Sequence, residues 1–436
     1  MRLLQITAGA GGMYCGTCLR DNALATELLA RGHDVLLLPV YTPTRTDEAN
    51  VSNGRVFFGG ISVYLQQHVP LLRRTPAALD FLWDLPRVIR AATGRGVSVE
   101  PQALGELTLS TLGGEDGFQA KEVRKLVQFA ASQPPFDVVV LPVSLLIGLA
   151  APLRRALRAP VVCALQGEEL FLDGLSAEHR EKGRALIRAQ ESHVDAFLAT
   201  SDTYADFMAG YLGLPRAKIH TVPLGISLEG HDPAPRERQQ PFTLGYFARI
   251  APEKGLHLLA RAYRILRQEM GLPPSRLRAA GYLAPEHRGY LAGIEDDLRT
   301  WGLHGEFTYA GELSREDKIA FLRGLDVLSV PSPYVEPKGL YLLEALANGV
   351  PAVQPRHGAF PEILAATGGG RLFTPGDADD LARTLAELVR DPAEAARLGA
   401  AGALGVRRHY GVARMADAME RVYDSLGPAA AAHASA

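Results

Sequence analysis

The chain has 436 residues, enough for two or three domains at about 150 residues each, which excludes a single small module. Its 46 Lys and Arg against 48 Asp and Glu leave a net charge of −2, without the basic field on which a nucleic-acid binder depends. With 47% apolar and 22% charged residues, the composition is that of a folded globular protein and excludes a disordered chain.

In chain order, short runs rich in Val, Ile and Leu predict strands at 2–7, 34–40, 137–142, 160–165, 195–200 and 218–223. Several are apolar at consecutive positions, the pattern of parallel strands buried on both faces. A helix is expected at 19–31, closed by Gly32 as a left-handed cap. Residues 43–130 break the alternation and read as an insertion. Within it the basic, proline-broken stretch 71–96 reads as an exposed helical hairpin, the alternative being an acceptor-binding or peripheral membrane-surface element. The polar segment 229–241, with three prolines, reads as an interdomain linker.

A second series of strands is expected at 243–248, 277–281, 306–310, 326–330, 350–354 and 371–373, with helices at 255–269, 340–348 and 379–390. A last helix spans 412–426, expected to pack back on the first domain, and residues 427–436 read as a disordered tail. The alternation predicts an α/β protein of two similar parallel-sheet domains, 1–228 and 242–411.

Cys15, Cys18 and Cys163 are too few to staple a chain of this size, which points to a reducing compartment. No export signal opens the sequence, and the apolar run 138–152 is short of a membrane span, so a cytoplasmic protein is expected. Cys15-Gly16-Thr17-Cys18 has the spacing of a redox pair, against the plainer reading of two small residues shaping a loop. The loop Gly9-Ala10-Gly11-Gly12 lets backbone N–H groups approach a ligand. It is not a dinucleotide fingerprint, because Tyr14 stands at the third glycine position and no acid ends the second strand.

In the second half, Arg249 and Lys254 lie on a short loop after a strand, the edge at which open α/β sheets bind ligands; two cations there suit a diphosphate. Further on, Glu336 and Glu344 are eight residues apart, one in a loop and one in a helix beginning near Gly339. They bracket a helix N-terminus whose amides at Gly339 and Leu340 can bind phosphate, while each carboxylate can accept hydroxyl hydrogen bonds. Asp377-Ala378-Asp379 reads as a helix cap.

These segments resemble retaining glycosyltransferase family 4, of the GT-B fold. The resemblance rests on Glu336 and Glu344 with seven residues between them, Pro331-Ser332 before them, and Gly349-Val350-Pro351 after them. It extends to the Arg249–Gly255 segment, the opening glycine loop and Gly32-His33-Asp34-Val35. The resemblance implies two Rossmann-like domains facing across a cleft and a nucleotide diphosphate sugar as donor, with no metal and no cofactor. Arg249 and Lys254 would neutralise the diphosphate, Gly339 and Leu340 cradle its distal phosphate, Glu344 hold the ribose and Glu336 a hydroxyl of the transferred sugar. Gly311 and Leu313 would flank the base, and Gly11 and Gly12 would line the acceptor side. Gln166 stands where many relatives carry a His that touches the sugar, and Lys338 replaces a common aromatic. Beside it, Glu168 and Glu169 either assist at the cleft or face solvent. The acceptor would be a glycan, lipid or small-molecule hydroxyl. Other sugar-nucleotide chemistry, an epimerase or a phosphorylase, and a non-catalytic sugar-binding protein are the alternatives.

Overall fold

A computed structural model describes residues 1–9, 14–58, 101–233 and 240–427. The chain forms two compact units, one comprising Met1–Val222 with the chain from Ala416 on, the other Pro223–Met415. The first unit ends at Val222, short of the expected 228, because Leu224 and Ile226 pack into the core of the second.

The first unit is built on six parallel strands: β1 (Arg2–Thr7), β2 (Asp34–Pro39), β3 (Val138–Leu141), β4 (Val161–Ala164), β5 (Ala196–Ala199) and β6 (Ile219–Thr221), in the order β2-β1-β3-β4-β5-β6. β3, β4 and β5 are buried at every residue, which is why their sequences run apolar without alternation. The helix Gly16–Ala30 starts three residues before the expected position and ends as Gly32, at φ 89°, turns left-handed; the amides of Gly32 and His33 reach back to Leu29 and Leu28. The expected insertion contributes helices Pro101–Leu112 and Ala120–Ala131, whereas 71–96 lies outside the described residues.

The second unit carries β7 (Thr243–Phe247), β8 (Arg276–Ala280), β9 (Phe307–Tyr309), β10 (Val327–Leu328), β11 (Ala352–Pro355) and β12 (Gly370–Phe373). Their order β9-β8-β7-β10-β11-β12, all parallel, is the doubly wound 3-2-1-4-5-6 arrangement, whose crevice lies where the order reverses, between β7 and β10. Leu244 and Gly245 pair there with Val327 and Leu328. Gly245 is needed at that register, because a Cβ would sit 2.1 Å from Leu325.

Two expectations change on the second unit. The expected helix 255–269 is a helix over Leu256–Arg264 continued by a wider π turn over Ile265–Glu269, and Pro252 opens a separate 3₁₀ turn, Pro252–Lys254. The front of the expected linker is not a linker. His231 is buried against Asn348 at 2.8 Å, and Arg407 donates to its carbonyl at 2.9 Å. Asp377 does cap its helix, accepting from the Asp380 amide at 2.9 Å. The last helix, Val412–Ser425, lies in the first unit from Ala416 on, where Arg31 binds Asp417 at 2.8 Å and Glu420 at 2.7 Å. Among the described residues no helix is long and apolar enough to cross a membrane.

Candidate functional site

The carboxyl ends of β7 and β10 bring Lys254 and the first predicted carboxylate together. After β7 the chain makes the turn Pro252–Lys254 and passes through Gly255 at φ 76°, where a Cβ would lie 2.1 Å from the Pro331 carbonyl. That close approach presses the Lys254 turn onto the loop after β10. Ser332 fastens it by donating to the Glu253 carbonyl at 2.8 Å. Lys254 Nζ then donates to Glu336 Oε2 in an ion pair with both side chains largely out of water.

Burial raises the proton affinity of Glu336, but the charge and hydrogen bond of Lys254 outweigh it, with help from Lys338, and hold the carboxyl below the usual glutamate range. A third loop, after β11, fixes the backbone of Glu336. Ala359 N donates to the Glu336 carbonyl at 2.8 Å, and Gly358, at φ 61°, comes so close that a Cβ would lie 2.4 Å from that oxygen. His357 packs alongside with Nε2 3.1 Å from the Ser332 carbonyl, and burial holds its imidazole below the ordinary histidine value. Arg249, at the end of the β7 segment, is more exposed and pairs with Glu253 at 2.9 Å.

Gly339, at φ 68°, is the last residue before the helix Leu340–Ala347, its carbonyl accepting from Leu342 and Leu343. Only a glycine turns left-handed there without strain. Glu344 lies on that helix, buried, and accepts from Lys318 Nζ at 2.6 Å. Each predicted carboxylate therefore carries a lysine partner. Sequence reasoning missed Lys318, 26 positions from Glu344, and missed Gly358 as the clamp behind Glu336; the Ser314 cap that starts the Lys318 helix is visible locally, its partner is not. Gly311, at φ 76°, follows β9 and accepts from Gly281 N at 2.8 Å, while Leu313 packs on the core of the unit.

In the first unit, Gln166 follows β4 and is buried. Its Nε2 donates to the Pro142 carbonyl at 2.8 Å and its Oε1 is buried with no hydrogen-bond partner. Glu168 and Glu169 are both buried, so the solvent-facing reading fails. Glu168 accepts from Ser144 N and Oγ at 2.9 and 2.7 Å, and Glu169 accepts from the Tyr204 hydroxyl at 2.6 Å. Gly11 and Gly12 lie outside the described residues. Among the described residues no group of three or more His, Cys, Asp and Glu is placed to hold a metal ion.

Two doubly wound sheets, one with the Lys254–Glu336 pair at its switch point, are the build of a GT-B glycosyltransferase. Residues 20–225 match the family described as "Glycosyl transferase 4-like domain" and residues 229–404 the family "Glycosyl transferases group 1". The chain belongs to the glycosyltransferases of family 4 type. It is 29% identical over 269 residues to a lipopolysaccharide core biosynthesis mannosyltransferase of Rhizobium leguminosarum bv. viciae, covering 59% of this chain and 71% of that one. In structure it resembles the sucrose-phosphate synthase of Thermosynechococcus elongatus, with TM-score 0.69 and 17% identity over 98% of this chain and 99% of that one. It also resembles Anabaena HepE crystallised with UDP and glucose, with TM-score 0.66 and 18% identity over 98% of this chain and 100% of that one.

Proposed function

We propose that this glycosyltransferase moves a hexose, with retention at the anomeric carbon and without a metal ion, from a nucleoside diphosphate sugar to a hydroxyl acceptor. The observation that carries the reading is the Lys254–Glu336 pair at the β7/β10 switch point, beside the turn that starts the helix Leu340–Ala347. Its support from relatives is that one is a mannosyltransferase and that a neighbour in fold was crystallised with UDP and glucose.

The bond from C1 to the diphosphate oxygen breaks, and the protein's main task is to stabilise the charge left on that oxygen. Lys254, already desolvated, supplies a fixed cation, Arg249 a second, and the amides around Gly339 and Leu340 hydrogen-bond the distal phosphate. Glu336 accepts from a sugar hydroxyl and Glu344, oriented by Lys318, from the ribose. The acceptor oxygen bonds C1 on the face the diphosphate leaves, and its proton passes to a diphosphate oxygen. Gly311 and Leu313 flank the base. Gln166, Gly11 and Gly12 serve the acceptor side. The acceptor is a glycan, lipid or small molecule, and a lipid acceptor would bring the protein to a membrane surface peripherally.

The test is a calorimetric panel of nucleotide sugars against the wild type and Glu344→Ala, with product stereochemistry read by NMR and turnover repeated with a chelator. Tenfold or weaker binding in the variant, about 1.4 kcal/mol, an α product from an α donor and turnover unchanged by chelation are expected. Unaltered nucleotide affinity in Glu344→Ala refutes the ribose assignment, an inverted product refutes retention, and loss of turnover with chelator refutes metal independence.

A further inference from the structure

One motif of the first unit takes no part in the transfer. Cys15 is the N-cap of the helix Gly16–Ala30, with extended backbone (φ −112°, ψ 127°), and its side chain makes no capping bond. Cys18 is the third residue of the helix, so the two β-carbons stand over the same first turn, where an N-cap side chain normally reaches. The two thiols are close enough to interact. They differ in access: Cys15 is partly exposed and Cys18 fully buried. Arg45 brings a cation nearby, its guanidinium 4.2 Å from the ring centre of Tyr14, the residue before Cys15.

We propose that Cys15 and Cys18 form a reversible intramolecular disulfide, with Cys15 as the attacking sulfur and Cys18 as the resolving one, oxidised by a low-molecular-weight disulfide. The four-residue span at a helix start, the partly exposed first thiol and the buried second supply the geometry of a dithiol that closes on itself.

The proton affinities run the same way. The hydrogen bond to Cys15, then burial, push the Cys18 thiol far above its usual range, which leaves the partly exposed Cys15 as the sulfur an oxidant meets first. The Cys15 thiolate attacks one sulfur of the oxidant, forming a mixed disulfide and releasing one thiolate. That thiolate takes up the Cys18 proton, and the Cys18 thiolate then attacks Cys15 Sγ and expels the second. Two protein thiols are oxidised and one external disulfide is reduced to two thiols. Cys163, buried in β4 with its thiol pushed up by burial, has no part in this and serves as an internal control.

The full chain is equilibrated with mixtures of oxidised and reduced glutathione, quenched with acid, alkylated and read by peptide mass spectrometry. In wild type and in Cys163→Ser, the peptide holding Cys15 and Cys18 is expected to lose two hydrogens and to resist alkylation until dithiothreitol is added. Cys18→Ser is expected to trap glutathione on Cys15 instead. Lasting glutathione on Cys15 of the wild type, or alkylation of both thiols at every ratio, would overturn the proposal, and both are read on wild-type protein, whatever the fate of the variants.

Discussion

Replacing Lys254 by Met would leave the Glu336 carboxylate buried without its cation. The side chains of Lys254 and Glu336 are only 12% and 6% exposed, so this is a desolvated pair, and breaking it from one side costs about 3–5 kcal/mol. A loss of that size is a large share of a stability of about 5–15 kcal/mol. Its pH dependence follows from the direction of the Glu336 shift. In the wild type the folded carboxyl lies below the unfolded value of 4.5, so it adds stability above that value, lost as pH falls through the folded one. Without Lys254 burial dominates and the folded value rises above 4.5, so the group destabilises increasingly as pH climbs through the raised value. Urea titrations of wild type, Lys254→Met, Glu336→Gln and the double variant would be compared at about pH 5 and about pH 8. Trp301 fluorescence in a Trp83→Phe background reports the second unit. Lys254→Met should lose more stability at the higher pH, and the double variant should recover part of it. Lys254→Met running parallel to wild type at both pH values would refute the buried pair.

Three further outcomes follow from other parts of the molecule. Burial raises Asp21 to about 6, against a charge from Arg20 that lowers it, so the folded state binds this proton more tightly than the unfolded chain. The first unit should therefore lose about 3 kcal/mol through this group as pH rises from about 4 to about 6, and Asp21→Asn should remove that slope; identical slopes in denaturant titrations would refute it. Gly255→Ala should destabilise the second unit by more than about 1 kcal/mol and depress transfer, whereas Gly16→Ala, with open space around it, should do neither; equal melting shifts would refute the Pro331 contact. Arg31→Ala removes bonds to Glu27, Asp417 and Glu420, which are partly exposed, so a cost of about 1–2 kcal/mol and faster proteolysis after Met415 are expected; an unchanged digestion rate would refute it.

Local signals in the sequence were enough to find the elements, and insufficient for their partners. The runs VVVL and VVCA are legible as strands because burial on both faces writes itself into consecutive apolar residues. Glu336 and Glu344 are legible because a glycine-led helix start between them marks their spacing. What pairs with them is not, since Lys254 and Lys318 reach them across 82 and 26 positions through loops and helices with no local code. Nor does any motif show the buried place of His231. Polar and between domains in sequence, it is held at about 4 by burial and then by Arg315 and Lys318. The order of strands, and with it the switch point, depends on which crossover lands where, a long-range choice that no window of residues contains.

The chain leaves the first unit after Val222 and re-enters it before Ala416, and just inside the second unit the outgoing and returning segments are laced together where Ile226 N donates to the Tyr410 carbonyl at 2.9 Å and Val412 N to the Ile226 carbonyl at 2.8 Å. During synthesis this imposes an order. The second unit emerges whole and can close on itself, while the first waits for its last helix until the whole of the second has been made. A truncated product ending near 415 would carry one finished globule and one with an unroofed groove, and its nascent N-terminal half is where chaperone dependence should concentrate.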